Sequence, residues 1–318
     1  MLIGHDNVRK WLGTAIAGGR VSGAYLFMGP DGIGKAGVAL EFAASLRCET
    51  GGWACGDCGQ CRRVFKGVHP SVRTFAKPAD KSAFPVELVR EIVDEAGVKA
   101  LEPGRRVFIV ADADRFNESS ANAFLKTLEE PPRDFTFVLL AGNAAQVLPT
   151  ILSRCQAVRF APLDEQQMKQ ATEGWEGLPV NPDARAILTR AAQGSPGNLR
   201  RMADRKVMDT AREFLKAVAG DPFHASEVLA ASLTADESEG KRDQLRDVLA
   251  LLTAALRDRM AGALAADVKP LTREISAEQR SPDAMAQAIL RLDDLRERID
   301  GNANLKLACD AIALGWPA

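Results

Sequence analysis

The stretch Gly29-Pro30-Asp31-Gly32-Ile33-Gly34-Lys35-Ala36 decides the fold of the first half of the chain. It follows an apolar run, Ala24–Met28, and precedes a helical pattern in which Val38, Phe42 and Leu46 share one face. The stretch matches G-x-x-x-x-G-K-[ST] up to its last position, so backbone N–H groups can face phosphates while the lysine neutralises them. We therefore predict a phosphate-binding loop between a strand and a helix. Its predicted nucleotide-binding residues are Gly29, Gly32, Gly34 and Lys35, together with Asp112 after a later apolar run.

Two motifs depart from what nucleotide hydrolysis requires. The last position of the loop is Ala36, which lacks the hydroxyl that ligates Mg²⁺ beside the phosphates. Nucleotide hydrolases also place a metal-holding aspartate and a water-activating glutamate after a later apolar strand. In the run that begins at Val107, Ala111 and Asp112 occupy that place. An ordinary strand that ends in a polar turn is the alternative interpretation of this second pattern.

Five apolar runs alternate with helical stretches in the first half of the chain, which predicts a parallel α/β sheet with flanking helices. Near-continuous apolar runs are typical of strands that are covered on both faces. The predicted strands are Ala24–Met28, Val72–Phe75, Val107–Ala111, Thr136–Ala141 and Ala157–Phe160.

From Pro162 onward the patterns are helical only. Asn181-Pro182 and Ser195-Pro196 both read as a helix cap followed by a first-turn proline. We predict three domains: an α/β domain at 1–161, a small three-helix unit at 162–207, and an all-α domain at 208–318. The longer helices predicted in the last domain are Met208–Val218, Arg242–Leu264, Pro282–Ile299 and Ala303–Leu314.

Four of the six cysteines lie close together, as C-x6-C-x2-C-x2-C. Four thiolates can complete a tetrahedral structural zinc site with no position left open for catalysis. Scattered buried or redox-active cysteines are the alternative interpretation. The predicted zinc ligands are Cys48, Cys55, Cys58 and Cys61.

The composition excludes some classes of function. The net charge of −1 gives no overall basic field for nucleic acid, and 46% hydrophobic residues is ordinary for a globular protein. No apolar run reaches the roughly 18 residues of a membrane span, and the N-terminus lacks a signal-peptide pattern, so we expect a soluble, cytoplasmic protein. Basic residues near the cysteines could contact DNA, although a solvated basic rim is the simpler interpretation: Arg47, Arg62, Arg63 and Lys66.

Two further motifs have no obvious chemistry by themselves. Asn117–Pro132 is an amphipathic helix pattern that a double proline terminates. Ser153-Arg154-Cys155 lies between a helical stretch and the last predicted strand. From the residues alone, Arg154 could equally be a surface residue or part of a salt bridge.

Together these motifs resemble the clamp-loader branch of the AAA+ family, and within it the bacterial DNA polymerase III subunits of delta prime type. Asn122–Pro132 is similar to the family's N-A-L-L-K-T-L-E-E-P-P helix, with Phe124 for one leucine. The four-cysteine insert and the S-R-C motif are also characteristic of these subunits. Gly194–Gly197 and Asn302–Leu305 match the family as well. The resemblance implies a P-loop AAA+ domain, a helical lid and a helical collar that assembles a five-subunit ring.

Departures from the family's motor subunits imply that this chain does not hydrolyse ATP. Ala36 stands for the motor threonine, Ala111 for the metal-holding aspartate, and Asp112 falls where the glutamate would be. The lid arginine that reaches nucleotide is replaced by Gly197, with Arg200 and Arg201 one turn later. Because Lys35 is retained, ATP binding without hydrolysis stays possible.

The resemblance implies a stator-like role in loading the sliding clamp on primed DNA during replication. Arg154 would act as a trans arginine finger for a neighbouring ATPase subunit, and the implied partners are the gamma/tau and delta subunits, the clamp and primer-template DNA. An active gamma/tau-like motor subunit is the alternative. A zinc-dependent nucleic-acid-binding module outside replication is a third hypothesis.

Overall fold

The apolar runs of the first half form one parallel sheet in the computed structural model. The structure describes residues 2–78, 80–99, 101–179, 181–233, 238–264, 281–300 and 304–316. The sheet has five strands in the order β2-β3-β4-β1-β5. The strands are β1 (Ala24–Met28), β2 (Val72–Phe75), β3 (Arg106–Val110), β4 (Phe135–Ala141) and β5 (Gln156–Arg159). The predicted α/β fold is confirmed, and the predicted strand bounds differ from the observed ones by one residue at most.

The position of each strand in the sheet decides how far it is covered. Every residue of β1, β3 and β4 is buried, because each of these strands has a neighbour on both sides and helices on both faces. The prediction of cover on both faces is wrong for the two edge strands. Only Val72 of β2 and only Val158 of β5 are buried.

Successive side chains of β1 point to opposite faces of the sheet, and both faces are packed. Leu26 belongs to a core cluster with Phe108, Phe124 and Phe137 on one face. Tyr25 lies on the other face, with its ring centroid 5.3 Å from that of Phe42. The helices of this half are α1 (Asp6–Ala17), α2 (Lys35–Ser45), α3 (Gly59–Phe65), α4 (Val86–Gly97), α5 (Glu118–Glu129), α6 (Pro149–Leu152) and α7 (Glu165–Ala171).

The second half is helical in all its described parts, as predicted. Its helices are α8 (Pro182–Ala191), α9 (Pro196–Asp204), α10 (Val207–Val218), α11 (Pro222–Ser232), α12 (Ser238–Leu264), α13 (Pro282–Asp300) and α14 (Leu305–Leu314). Helix α12 packs against α8, α9, α10 and α13. Leu249, Leu252 and Leu256 of α12 are buried, so this face belongs to the core. The sequence patterns missed α11, whose apolar residues have little helical periodicity.

The chain divides into two compact units, Met1–Ala171 and Thr172–Ala318. The division of the second half into a lid at 162–207 and a collar at 208–318 stays a prediction. Part of the predicted Asn302–Leu305 motif lies outside the described residues. Within the described part of the chain, no helix is both long enough and apolar enough to cross a membrane.

Candidate functional site

The phosphate-binding loop lies at the carboxyl end of β1, where parallel sheets bind their ligands. Gly29 has φ 155°, and a Cβ at this position would lie 2.5 Å from the carbonyl oxygen of Phe160. Gly34 has φ 107° and caps the N-terminus of α2. Both glycines are therefore required by the backbone, and the loop leads into a helix N-terminus that favours anions.

The loop lysine is occupied within its own loop. The Lys35 ammonium donates to the carbonyl oxygens of Gly29 at 2.6 Å and Pro30 at 2.9 Å. It also lies 3.3 Å from Oδ1 of Asp31, and the lysine side chain is only 7% exposed. A phosphate group would have to displace these partners before it could pair with the ammonium.

Carboxylates after β3 gather beside the loop. Asp112 has a left-handed backbone with φ 57°, and its Oδ2 accepts a hydrogen bond from the Lys77 N–H at 3.2 Å. Burial raises the pKa of Asp112, and the negative charges of Asp114 and Asp31 raise it further. Asp114 in turn accepts from the backbone N–H groups of Gly142 at 3.2 Å and Asn143 at 3.1 Å. The surroundings of the loop are thus rich in negative charge, which disfavours bound phosphates.

Sequence reasoning missed Asp31 and Asp114 as members of this site. The Asp31 carboxylate lies so close to Gly142 that a Cβ there would be 2.5 Å from its Oδ1. Two signals could have identified them. Asp31 could have been identified because it precedes Lys35 by four residues. Asp114 could have been identified because the residues that follow parallel strands meet at one edge of the sheet.

Two positions that contribute metal ligands in nucleotide hydrolases carry no ligand group here. Ala36, the second residue of α2, has no hydroxyl, and Ala111, which follows β3, has no carboxylate.

Arg200 and Arg201, which follow Gly197 by one turn, have partners of their own within the second unit. Arg201 donates from Nε and Nη2 to the two oxygens of buried Asp247, at 2.9 and 2.8 Å. The Arg200 guanidinium lies over the ring of Trp175, 5.5 Å from its centroid. Arg201 is thus held by a two-point ion pair, and removing it would leave a carboxylate buried without its main counter-charge.

We expect Asp31→Asn to strengthen the binding of ADP. The substitution removes a negative charge next to Lys35, and because the carboxylate is largely exposed we expect about a fivefold gain in affinity at low salt. Calorimetric titration with ADP in the presence of EDTA measures this gain. Asp80→Asn, at an exposed aspartate beside Lys81, is the matched control. Equal affinities for the two variants would contradict the inhibitory role of Asp31.

The four predicted zinc ligands come together in space. One sulfur from each of Cys48, Cys55, Cys58 and Cys61 lies within 4.8 Å of all the others. Tetrahedral zinc with sulfur ligands at about 2.3 Å needs sulfurs roughly 3.8 Å apart, and the Cys55 and Cys61 sulfurs are separated by 4.0 Å. The cluster therefore could bind zinc, with only small shifts of the side chains.

Hydrogen bonds prepare the cluster for metal. The Cys55 sulfur accepts from the Cys58 N–H, and the Cys58 sulfur accepts from the Cys61 N–H, both at 3.4 Å. Burial by itself raises the pKa of the Cys48 thiol. Hydrogen bonds from Thr50 and Cys55 outweigh this effect and lower the pKa to about 6. Burial raises the pKa of the Cys61 thiol to about 12, so metal binding must displace a proton there.

A polar network ties the cysteine insert to the connection between α4 and β3. Glu102 pairs with Arg63 at 2.8 Å and with Arg47 at 3.6 Å, so two residues of the predicted basic rim are engaged within the protein. His69 is buried and bonds to Gln60 at 2.6 Å. Burial lowers the pKa of His69, as do Arg47 and Arg63. The insert is therefore a folded part of the domain.

Arg154 lies between α6 and β5 with its side chain 28% exposed. Its Nε donates to Oε1 of Glu129 at 2.7 Å, and its Nη1 donates to the carbonyl oxygen of Thr150 at 3.0 Å. The neighbouring Cys155 packs against the core, and burial raises its pKa to about 12. The S-R-C motif thus anchors a sulfur inside and leaves a cation at the surface.

The parallel order β2-β3-β4-β1-β5, with a phosphate-binding loop after β1, defines an AAA+ P-loop domain followed by a helical part. A family model described as DNA polymerase III, delta subunit, matches residues 4–164. The chain belongs to this family, and the clamp-loader resemblance of its motifs is confirmed.

The relatives carry the names of both subunit types. DNA polymerase III subunit tau of Escherichia coli K12 is 30% identical over 94% of this chain and 47% of its own length. Subunit delta' of Bacillus subtilis 168 is 35% identical over 51% of this chain and 49% of that protein. A gamma subunit-related protein of Thermotoga maritima, of known structure, aligns over 98% of this chain and 99% of its own, at 17% identity and TM-score 0.49.

The chain spans about half the length of the tau subunit that it matches. It belongs to the clamp-loader DNA polymerase III subunits of the delta'/tau/gamma type.

Proposed function

We propose that this chain is a delta prime-like subunit of the DNA polymerase III clamp loader that does not hydrolyse ATP. In this proposal it contributes Arg154 in trans to the ATP site of a neighbouring subunit. Its partners are the gamma/tau and delta subunits, and the assembly loads the sliding clamp on primer-template DNA. Zinc held by Cys48, Cys55, Cys58 and Cys61 is its structural cofactor.

The observation that carries the proposal is the joint loss of three residues that motor subunits use for hydrolysis. Ala36 removes the metal-ligating hydroxyl, Ala111 removes the metal-holding carboxylate, and Gly197 removes the lid arginine. Arg201 cannot replace that arginine while it is paired with Asp247. One such change could be compensated, but the three together leave the metal and the γ-phosphate without their usual partners.

In this proposal a subunit that does not hydrolyse ATP still contributes to catalysis, through Arg154. A guanidinium supplied in trans stabilises the charge on the transferred γ-phosphoryl group and accelerates hydrolysis by roughly 10³- to 10⁵-fold. Arg154 lies at the surface of the AAA+ domain on a short segment between α6 and β5, where another protein can reach it. A subunit that lacks its own hydrolytic site can in this way still take part in ATP turnover by the assembly.

The isolated chain is expected to release no phosphate from ATP above the level of a Lys35→Ala variant. Metal-held ATP is the species that P-loop enzymes hydrolyse, and neither metal ligand is present. A steady-state phosphate-release assay with Mg²⁺ and primed DNA tests this.

The second variant in that assay is Ala36→Thr. It restores only the hydroxyl, so we expect it to remain inactive as well. Magnesium-dependent turnover by the unmodified chain that Lys35→Ala abolishes would overturn the proposal and favour an active gamma/tau-like motor.

A further inference from the structure

Two motifs that are separate in the sequence form one polar cluster in the structure. Glu129 is the last residue of α5, and Arg154 follows α6. Oε1 of Glu129 accepts a hydrogen bond from Nε of Arg154 at 2.7 Å and also contacts Nη2. On the opposite side of the guanidinium, Nη1 donates to the Thr150 carbonyl at 3.0 Å and to the Ser153 hydroxyl at 3.2 Å. The two edges of the cation are therefore held by two different parts of the chain.

The end of α5 is fixed in place, so Glu129 is a firm support. The helix starts at a capping box between Asn117 and Ser120, and it is anchored in the core by Phe124 and Leu128. The proline after the helix, Pro131, packs tightly on the backbone before β1. A Cβ at Gly23 would lie 2.1 Å from Cγ of that proline. Rotation or sliding of α5 that moved the carboxylate would disturb this contact.

The arrangement leaves part of Arg154 available to a ligand. Arginine has five N–H groups, and the contacts within the described chain use at most four of them. An arginine on a surface loop normally samples many rotamers, and this freedom must be lost before it can stabilise a transition state. Here four contacts already restrict the side chain before any partner binds.

We propose that Glu129 is a positioning residue for Arg154: its carboxylate holds the guanidinium in the orientation in which it meets a neighbouring subunit's nucleotide. This inference rests on the proposed function of Arg154 in trans. Glu129 does not reach the nucleotide itself and acts through the arginine.

The test uses the complete loader, assembled with Glu129→Gln in this chain. Glutamine keeps the shape of the side chain but loses the charge, so the guanidinium is held less firmly. We expect kcat for DNA-dependent ATP hydrolysis to fall about tenfold while KM for ATP changes less than twofold, because misorientation of a group affects the transition state more than ground-state binding. Glu130→Gln, at the exposed next residue, is the matched control and is expected to keep full activity.

A double variant separates positioning from a general structural effect. If Glu129 acts only through Arg154, then Glu129→Gln adds no further loss to Arg154→Ala. Additive losses, equal activity of Glu129→Gln and Glu130→Gln, or a rise in turnover for Glu129→Gln would each overturn the inference. If Glu129→Gln is not incorporated into the loader, Glu129→Asp is tested instead. Aspartate keeps the charge but has a shorter side chain, so it also holds the guanidinium less firmly.

The outcomes also distinguish this inference from the proposed function. Unchanged turnover in Arg154→Ala would refute the trans role of the arginine, and the positioning role with it. A loss in Arg154→Ala without a loss in Glu129→Gln would refute the positioning role alone.

Discussion

Replacing Arg154 with alanine is expected to lower the DNA-dependent ATPase of the assembled loader by about a thousandfold at the site it serves. The γ-phosphate of the neighbouring subunit would lose the cation that balances its developing charge. The folded chain should be little affected, because the ion pair with Glu129 is partly exposed and such pairs contribute about 0–1 kcal/mol. Activity and stability are therefore expected to separate clearly in this variant.

The measurement is single-turnover ATP hydrolysis by the loader, combined with a thermal melt of the chain. Arg133→Ala is a suitable control, because Arg133 lies in the same domain with its side chain 98% exposed. Lysine at position 154 should restore little activity, since it lacks the planar fork that pairs with phosphate oxygens. Wild-type turnover in the alanine variant, in a loader shown to contain it, would exclude the trans role.

The second large effect is expected at the cysteine cluster. Cys55→Ser should weaken zinc binding by more than about a hundredfold and unfold the segment around α3, because structural zinc supplies much of the folding free energy of such inserts. The wild-type chain, purified without chelator, is expected to hold about one zinc per chain. Elemental analysis gives the zinc content, and hydrogen exchange at residues 48–66 reports the local folding.

Cys155→Ala is the control for that experiment. Cys155 is a thiol outside the cluster that packs against the core, so its replacement should lower stability without changing the zinc content. A wild-type zinc content below a tenth of an equivalent, or full zinc retention in Cys55→Ser, would contradict the proposed site.

Local pattern was sufficient to predict the sheet and the loop, because these depend on residues that are close in sequence. The strands β1 and β2 begin and end where the apolar runs do, and the glycines of the loop occupy backbone conformations that few other residues tolerate. The clustering of the four cysteines was equally accessible, since short spacings such as C-x2-C bring sulfurs close together.

Contacts between distant segments were not accessible in this way. The pairing of Glu129 with Arg154 depends on how α5 and α6 pack, and nothing in either motif specifies the other. The same holds for Asp114, which meets Gly142 only because β3 and β4 are neighbours. The exposure of β5 was also missed, because the order of the strands, which places it at an edge, is not encoded in the run itself.

The hydrogen bonds that Lys35 makes within its own loop bear on how this subunit behaves during the ATPase cycle of the proposed loader. Its ammonium already has hydrogen-bond acceptors in the carbonyl oxygens of Gly29 and Pro30, and the Asp31 carboxylate lies close enough to pair with its charge. In the proposed role, this protomer would hold the same conformation whether the cell is rich in ATP or in ADP. The neighbouring subunits of the ring would then change conformation with their nucleotide while this subunit does not. Arg154 would therefore have the same position in every cycle of ATP hydrolysis.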